Sequence, residues 1–247
     1  GKATPAEGGI RLSGQWSFAS GCDAADWLLL GSVVEGPASE GKLLLCCVPK
    51  REVEIVDNWH VSGLKGTGSK NVAAQEVFVP AHRARPFQET LLMCFDLGIA
   101  VIAGPLVGAA EAAVDRFRES LSERFLMTSL SRQSQMGSAK NRLAESAAEV
   151  YAARLLLERT AADIDARITA SRAPDSRWNA RVSRDTAYAA QLATRATQRV
   201  FEASGGSALH ESEPIQRIWR DVHAGHAHAY LDWDAAAEGW STAVLEA

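Results

Sequence analysis

Cysteine, runs of basic residues and long apolar stretches are all scarce in this chain, and each scarcity removes a class of protein. Four cysteines occur in 247 residues, two of them adjacent at Cys46 and Cys47, with no Cys-x-x-Cys pair and no secreted disulfide framework. They read as small buried apolar residues of a protein kept in a reducing cytoplasm. The opening Gly1-Lys2-Ala3-Thr4-Pro5 has no apolar core of a signal peptide, so secretion is not expected. With 26 Lys and Arg against 30 Asp and Glu, the net charge is −4, and no basic stripe is long enough to neutralise nucleic-acid phosphates. The most apolar run, Leu97 to Ala110, is shorter than a bilayer span and follows Asp96, which predicts a buried core helix and no membrane partner. A dinucleotide fingerprint is also missing, so nicotinamide is not expected to bind.

What is present divides near residue 90. Before it, short apolar runs with β-branched and aromatic residues alternate with Gly and Pro: Gly9 to Phe18, Trp27 to Val34, Lys42 to Val48, Val53 to Trp59 and Asn71 to Val79. Residues 1–90 are therefore expected to form a β-domain of about five or six strands. After it, Ala, Leu, Arg and Glu recur at three-and-four spacing, predicting helices at about 91–122, 131–171, 176–204 and 213–245. Pro174 separates the second from the third, and Ser204-Gly205-Gly206-Ser207 the third from the fourth. The expected fold class is α+β, a β-domain followed by an antiparallel four-helix bundle over residues 91–247. The Ala-rich face Ala187 to Ala196 permits close helix contact and points to a homodimer or homotetramer.

Half of the six histidines, His223, His226 and His228, fall within six positions near the C-terminus. Imidazole moves protons near neutral pH, so the cluster proposes a reaction centre. A solvated helix face, a metal tract and a helix end that meets imidazolium compete with that reading. On a helix, residues 223 and 226 share a face and 228 points elsewhere. The spacing does not match His-Glu-x-x-His, and no carboxylate lies between the histidines, so no metal is expected. Asp221, seven residues before His228, lies on nearly the same face and can orient an imidazole unless Gly225 breaks the helix.

Other candidates are less specific. Ser20-Gly21 ends a strand and can offer a hydroxyl and an N–H where Gly allows a flat ligand close, or it is an ordinary turn beside core aromatics. Gly63-Leu64-Lys65-Gly66-Thr67-Gly68-Ser69 can wrap a phosphate, or form a plain hairpin. Arg124 falls between two helices, where most arginines are simply solvated. Gly205 and Gly206 either admit a ligand to the backbone or cap a helix.

Taken in order along the chain, these segments resemble the acyl-CoA dehydrogenase fold superfamily, and within it the two-component flavin-dependent monooxygenases similar to 4-hydroxyphenylacetate 3-monooxygenase oxygenase components. The resemblance rests on Leu12 to Gly21 followed by Asp26-Trp27; on Trp59 to Ser69 ending in Val77-Phe78-Val79-Pro80; on Glu123-Arg124-Phe125 with Gln133 and the helix Glu145 to Leu157; and on Gly205-Gly206 followed by Pro214-Ile215-Gln216-Arg217 and Arg220-Asp221. It implies that Ser20 bonds near nitrogen 5 of a flavin, with Phe18 and Trp16 beside the ring. Arg124 is then assigned to the flavin phosphate, and Gly205 and Gly206 to the approach of the flavin tail.

Acyl-CoA dehydrogenases of this fold commonly carry a catalytic glutamate about eight positions after the Arg-Asp pair. Here Ala229 stands at that position, between His228 and Tyr230, with Asp232 beyond. Dehydrogenation is therefore disfavoured. An imidazole suits monooxygenation, because it can steady a flavin hydroperoxide or assist deprotonation of a phenol. The expected activity is hydroxylation of an aromatic small molecule by reduced FMN or FAD and molecular oxygen, with the flavin supplied by a separate reductase. His228 is the first catalytic candidate, then His226 and Ser20, with His223 behind them. Alternatives are an acyl-CoA dehydrogenase or amine N-oxygenase of the same fold, and a non-catalytic oligomeric scaffold. Two departures stand out: the N-terminal helical domain usual in the family is missing from the sequence, and the connection from Pro80 to Leu97 is short for the family's substrate-covering segment.

Overall fold

The computed structural model describes residues 1–36, 41–88, 95–126 and 130–246. It divides into two compact units: Gly1–Val61 with Lys65–Cys94, and Ser62–Leu64 with Phe95–Ala247.

The first unit is built on a seven-stranded sheet. Its strands are β1 (Lys2–Ala6), β2 (Gly9–Trp16), β3 (Trp27–Val34), β4 (Leu43–Pro49), β5 (Glu54–Val56), β6 (Asn71–Pro80) and β7 (Ala84–Pro86). They lie in the order β5-β6-β2-β1-β3-β4-β7, antiparallel throughout except where β1 runs parallel to β3. Seven strands stand against the five or six expected, and the two outside the five named runs, β1 and β7, are ones that period-2 patterning misses. β1 holds one buried side chain, Ala3, and a proline; β3 pairs only with Lys2 and Ala3, so the N–H that Pro5 lacks costs no bond on that side. β7 is three residues long. The expected strand Val53 to Trp59 shrinks to β5.

Alternation along β2, β3, β4 and β6 turns Leu12, Leu28, Leu30, Cys46, Val48, Val72 and Val79 into one buried cluster with Cys22. Cys22 and Cys46 thus behave as the small apolar residues expected, while Cys47 is half-buried and Cys94 lies outside the described residues. Burial pushes the Cys46 thiol above its ordinary value, so it stays protonated. Between Leu12 and Gly14 the ladder to β6 slips. There the Ser13 hydroxyl accepts from the Glu76 N–H and donates to the Glu76 carboxylate, each at 2.9 Å, with Glu76 at φ +53°. Such a bulge re-aims the strand beyond it.

The second unit holds α1 (Phe95–Glu123), α2 (Gly137–Thr169), α3 (Ser176–Ala203), α4 (Pro214–His226) and α5 (Trp233–Leu245). Residues 91–94 of the first expected helix lie outside the described residues. The second helix starts at Gly137 instead of 131, because Ser131–Arg132 (β9) pairs with Phe125–Leu126 (β8) and a 3-10 turn follows. The fourth expected helix is two. α4 stops at His226, a 3-10 turn spans Ala229–Leu231, and Asp232 restarts helix by accepting the Ala235 N–H at 2.9 Å. An Asp three residues ahead of an Ala-rich run is a stop-and-restart signal that amphipathicity alone conceals.

One core joins α1 to α4. Val107, Ala110, Phe117 and Leu121 of α1 meet Val150 and Ala153 of α2, Ala193, Ala196 and Val200 of α3, and Ile215 of α4. Gly98–Glu123 is long and apolar enough to cross a membrane by length and composition, longer than the run read from the sequence. Its buried stripe is instead occupied by the other helices. Ala187, Ala189, Ala190, Ala193 and Ala196 are all wholly buried within the chain. The Ala-rich face expected at an oligomer contact is therefore spent on the chain's own bundle, since small side chains let α3 approach α1 and α2 closely.

Two charge clusters pin the bundle. Arg167 donates to both carboxylate oxygens of Asp96, from Nε at 2.9 Å and Nη2 at 3.1 Å, and Trp178 Nε1–H adds a bond at 2.8 Å. Glu149 on α2 receives Arg195 and Arg199 of α3, each at 2.6 Å. Hydrogen bonding to Glu149 raises the Arg199 guanidinium further above its ordinary value.

Candidate functional site

Three groups of residues carry the chemistry expected from the sequence. The first is the bend after β2. Phe18 sits there at φ +59° and is 74 % exposed. A bulky residue in left-handed backbone is strained and persists only when its surroundings hold it. What holds it is local: the Ser20 N–H donates to the Phe18 carbonyl at 2.8 Å, the Ala19 N–H to Lys70 at 3.0 Å, and the Gly21 N–H to Thr67 at 2.8 Å. Trp59 meets the Phe18 ring edge-on at 6.0 Å. The exposed Ser20 hydroxyl lies 2.8 Å from Ser69 Oγ, which lies 2.8 Å from Thr67 Oγ1. Trp16 donates its Nε1–H to the Gly31 carbonyl at 2.6 Å.

The glycine-rich loop is thus not a hairpin but the support of this bend. Lys65–Thr67 forms a 3-10 turn, and Lys70 is anchored by Asp23 and then Asp57, whose hydrogen bonds hold its ammonium above the ordinary value. Ser62–Leu64 go with the helical unit. A Cβ on Gly63 would overlap the Arg220 carbonyl oxygen, Arg220 Nη1 donates to the Ser62 carbonyl at 2.5 Å, and the Leu64 N–H donates to Asp221 at 2.6 Å. The Arg-Asp pair therefore clasps backbone. Asp221 does not orient His228, because its carboxylate is engaged with Leu64 and the helix that would align the two ends at His226.

The second group surrounds a cleft of about 240 Å³ lined by Arg116, Ser120, Glu123, Arg124, Ser204 and Ser207, among others. Arg124 Nη1 donates to the Ser204 carbonyl and, at 3.4 Å, to that of Ala203. Gln133 Nε2 donates to the same Ala203 carbonyl at 2.7 Å. Both side chains satisfy the unpaired carbonyls at the end of α3. Gly205 follows at φ +62° and ψ −164°, a conformation open to glycine, and a Cβ there would overlap Arg124 Nη2. The sequence-predicted Arg124 and Gly205 are brought together. The Nε and Nη2 groups of Arg124 carry no hydrogen bond among the described residues, a donor edge that suits a phosphate, and Arg116 balances Glu213 at 3.7 Å across the cleft. The set fits the phosphate end of a flavin.

The third group is the corner between α4 and α5. His223 Nδ1 faces the Trp219 carbonyl at 2.7 Å, and a carbonyl only accepts, so Nδ1 carries a proton and donates it. Its ring continues a stack from Phe201 through Trp219, with centroids 4.9 and 4.5 Å apart. His228 is the reverse: its Nδ1 accepts the Tyr230 N–H at 3.2 Å, so Nε2 carries the proton and is a donor. His228 and Tyr230 are exposed, their rings 5.3 Å apart. His226 is half-buried, and burial, then the neighbouring His223, push its pKa below the ordinary value against the pull of Asp232. Two of the expected imidazoles therefore present opposite polarity, which no spacing rule reveals.

A family model described as "Acyl-CoA dehydrogenase, C-terminal domain" matches residues 100–233, more than half of the chain. The chain belongs to that acyl-CoA dehydrogenase family. Among relatives of this family member, the flavin-dependent monooxygenase oxygenase subunit HsaA of Rhodococcus jostii (strain RHA1) is 31 % identical over 93 % of the chain and 65 % of its own length. The FADH(2)-dependent resorcinol hydroxylase, oxygenase component, of Rhizobium sp. (strain MTP-10005) is 34 % identical over 94 % of the chain and 63 % of its own length. Among solved structures, XiaF from Streptomyces sp. in complex with FADH2 and glycerol superimposes with a TM-score of 0.92 at 27 % identity, covering 100 % of this chain and 66 % of that one. The acyl-CoA dehydrogenase-family chain thus spans just under two thirds of the length of the curated relatives it matches. The likeness to oxygenase components read from the sequence agrees with the names of these relatives, and the α+β class with the fold of XiaF. Thr67, Ser69, Trp59 and Ser204 lie in segments that the sequence singled out, but none of them was assigned a role of its own; the hydroxyls of Thr67 and Ser69 on either side of Gly68 were the available signal.

Proposed function

We propose that the chain is part of the oxygenase component of a two-component, reduced-flavin-dependent monooxygenase that hydroxylates a phenolic or related aromatic small molecule. The observation that carries this is the corner after α4. It offers two imidazoles and a phenol, and its one carboxylate, Asp232, is committed to capping α5. A free carboxylate base for dehydrogenation is missing from residues 223–231.

When bound, reduced flavin supplies two electrons that, with molecular oxygen, place one oxygen atom on the aromatic ring and the other in water. In the helical unit Arg124, with Gly205 and Gly206, would hold the phosphate of FMN or FAD; in the sheet unit Phe18 and Ser20 would serve a flavin ring. His228 offers Nε2–H to steady the developing negative charge on oxygen. His226, kept neutral by burial, is suited to take a proton from a phenol near pH 7. A separate reductase delivers the flavin. A homodimer or homotetramer belongs to the same proposal, formed through the outer face of α2, where Tyr151 and Leu155 stand 64 % and 47 % exposed.

Anaerobically reduced FMN or FAD, then oxygen and a panel of phenols, tests the reading in the full-length protein. Hydroxylated product supports it. Reduction of bound flavin by an acyl-CoA, with no product from any phenol, would replace it with dehydrogenation.

A further inference from the structure

Between α2, α3 and the start of α5 runs an open groove of about 610 Å³ that shares no lining residue with the cleft at Arg124. Leu155 and Leu156 of α2 and Leu192 of α3 give it apolar walls. Tyr188 of α3 and Trp233 of α5 add two aromatic rings, their centroids 5.2 Å apart and their planes tilted by 47°. Mostly apolar walls with a few polar groups, in a volume of roughly 300–1,000 Å³, are the mark of small-molecule sites.

The charged groups at this groove belong to one network. Arg159 Nε donates to Asp163 at 2.9 Å, Asp163 also meets Arg181 at 3.1 Å, Arg181 meets Asp185 at 3.4 Å, and Arg184 Nε donates to Asp185 at 2.8 Å. Three guanidinia therefore face two carboxylates. Arg159 and Arg184, the two ends of the network, both line the groove, while the Asp185 carboxylate is buried against Arg181 and Arg184. The surplus positive charge is thus presented to the groove. Arg184 is held in place by the Trp240 ring, 4.1 Å from its guanidinium. Arg159 Nη1 and Nη2, the Tyr188 hydroxyl and Trp233 Nε1–H carry no hydrogen bond among the described residues. All four can donate, and only the hydroxyl can also accept.

We propose that this groove binds a planar aromatic anion, an arylcarboxylate whose ring lies against Tyr188, Trp233 and the leucines while its carboxylate takes the Nη1–Nη2 edge of Arg159. A guanidinium edge matches a carboxylate with two parallel hydrogen bonds. A neutral aromatic leaves the surplus charge unanswered, and a cationic one is repelled by it. Because Arg159 is exposed, the ionic part of the affinity is screened by salt. The site is additional to the flavin function proposed above and does not rest on it.

2-Naphthoate and its neutral counterpart 2-naphthamide, titrated calorimetrically into the full-length protein, test the assignment. At low salt naphthoate is expected to bind about ten-fold more tightly than naphthamide, an advantage that shrinks as salt is added. Arg159→Gln, at an exposed position, is expected to weaken naphthoate about five- to ten-fold and naphthamide less than about two-fold. Ala152→Trp, which fills the groove from α2, is expected to abolish binding of both. Equal affinities for the two compounds, or unchanged naphthoate binding in either variant, would put the anion elsewhere on the protein and overturn the proposal. The outer face of α2 borders the groove at Leu155, so a second copy of the chain is the rival occupant. Naphthoate that fails to bind at millimolar concentration, or binds only as light scattering shows an assembly dividing, gives the groove to that copy and overturns the proposal as well.

Discussion

Gly205 and Arg124 occupy one space: a side chain on Gly205 would displace the guanidinium that satisfies the last carbonyls of α3. Gly205→Ala therefore combines a positive φ with that displacement. It is expected to lower unfolding free energy by about 1–3 kcal/mol, read from urea denaturation. A wild-type midpoint would show that the contact is not maintained in solution.

Arg124→Ala tests the donor edge. FMN is expected to bind about ten-fold or more weakly, and riboflavin, which lacks the phosphate, equally well. Matching losses for the two ligands would remove Arg124 from phosphate recognition.

His228→Ala is expected to reduce hydroxylated product by about 10²–10³ in turnover, the usual effect of removing one oxyanion donor. Flavin affinity should stay within about two-fold. His228→Gln, which keeps an N–H donor, should recover part of the rate. Normal turnover in His228→Ala would take this residue out of the mechanism.

The depressed pKa of His226 makes stability depend on pH with a definite sign. The unfolded chain takes up a proton near pH 6.5, while the folded chain does so only at lower pH. Below that point the unfolded state binds more protons, so folding stability is complete above about pH 6.5 and falls as pH drops toward the folded value. His226→Gln should flatten this limb between pH 7.5 and 5, measured by urea denaturation at each pH. An unchanged slope would assign the acid sensitivity elsewhere.

Breaking the buried pair between α1 and α2 is expected to be severe. Arg167→Met leaves the Asp96 carboxylate uncompensated in a wholly buried position and should cost about 3–5 kcal/mol of stability. Thermal unfolding within a degree of the parent would mean that water reaches Asp96.

Much of the fold was legible because it is written in local periodicity. The switch from two-residue to three-and-four spacing near residue 90, Pro174 and Ser204-Gly205-Gly206-Ser207 mark their breaks with no knowledge of distant contacts. The divided fourth helix was not legible, since Ala-rich sequence on both sides of His226 looks continuous until Asp232 is seen capping. β1 was hidden by its proline and by polar residues whose pairing depends on β2 and β3. Of the candidate site, residue types were legible at Ser20, Arg124 and the histidines, but not their polarity.

By itself, then, the order of side chains determined the two kinds of secondary structure, the buried stripes and the presence of imidazole in place of a free carboxylate near the C-terminus. Those follow from spacing along the chain. Tertiary structure alone decided that the Ala-rich face of α3 is consumed internally, that Asp221 holds Leu64, that Arg124 lies on Gly205, and that Ser69 stands behind Ser20. Each depends on residues far apart in sequence meeting at hydrogen-bond or van der Waals range, and donor or acceptor character is settled only when the partner atom is in place.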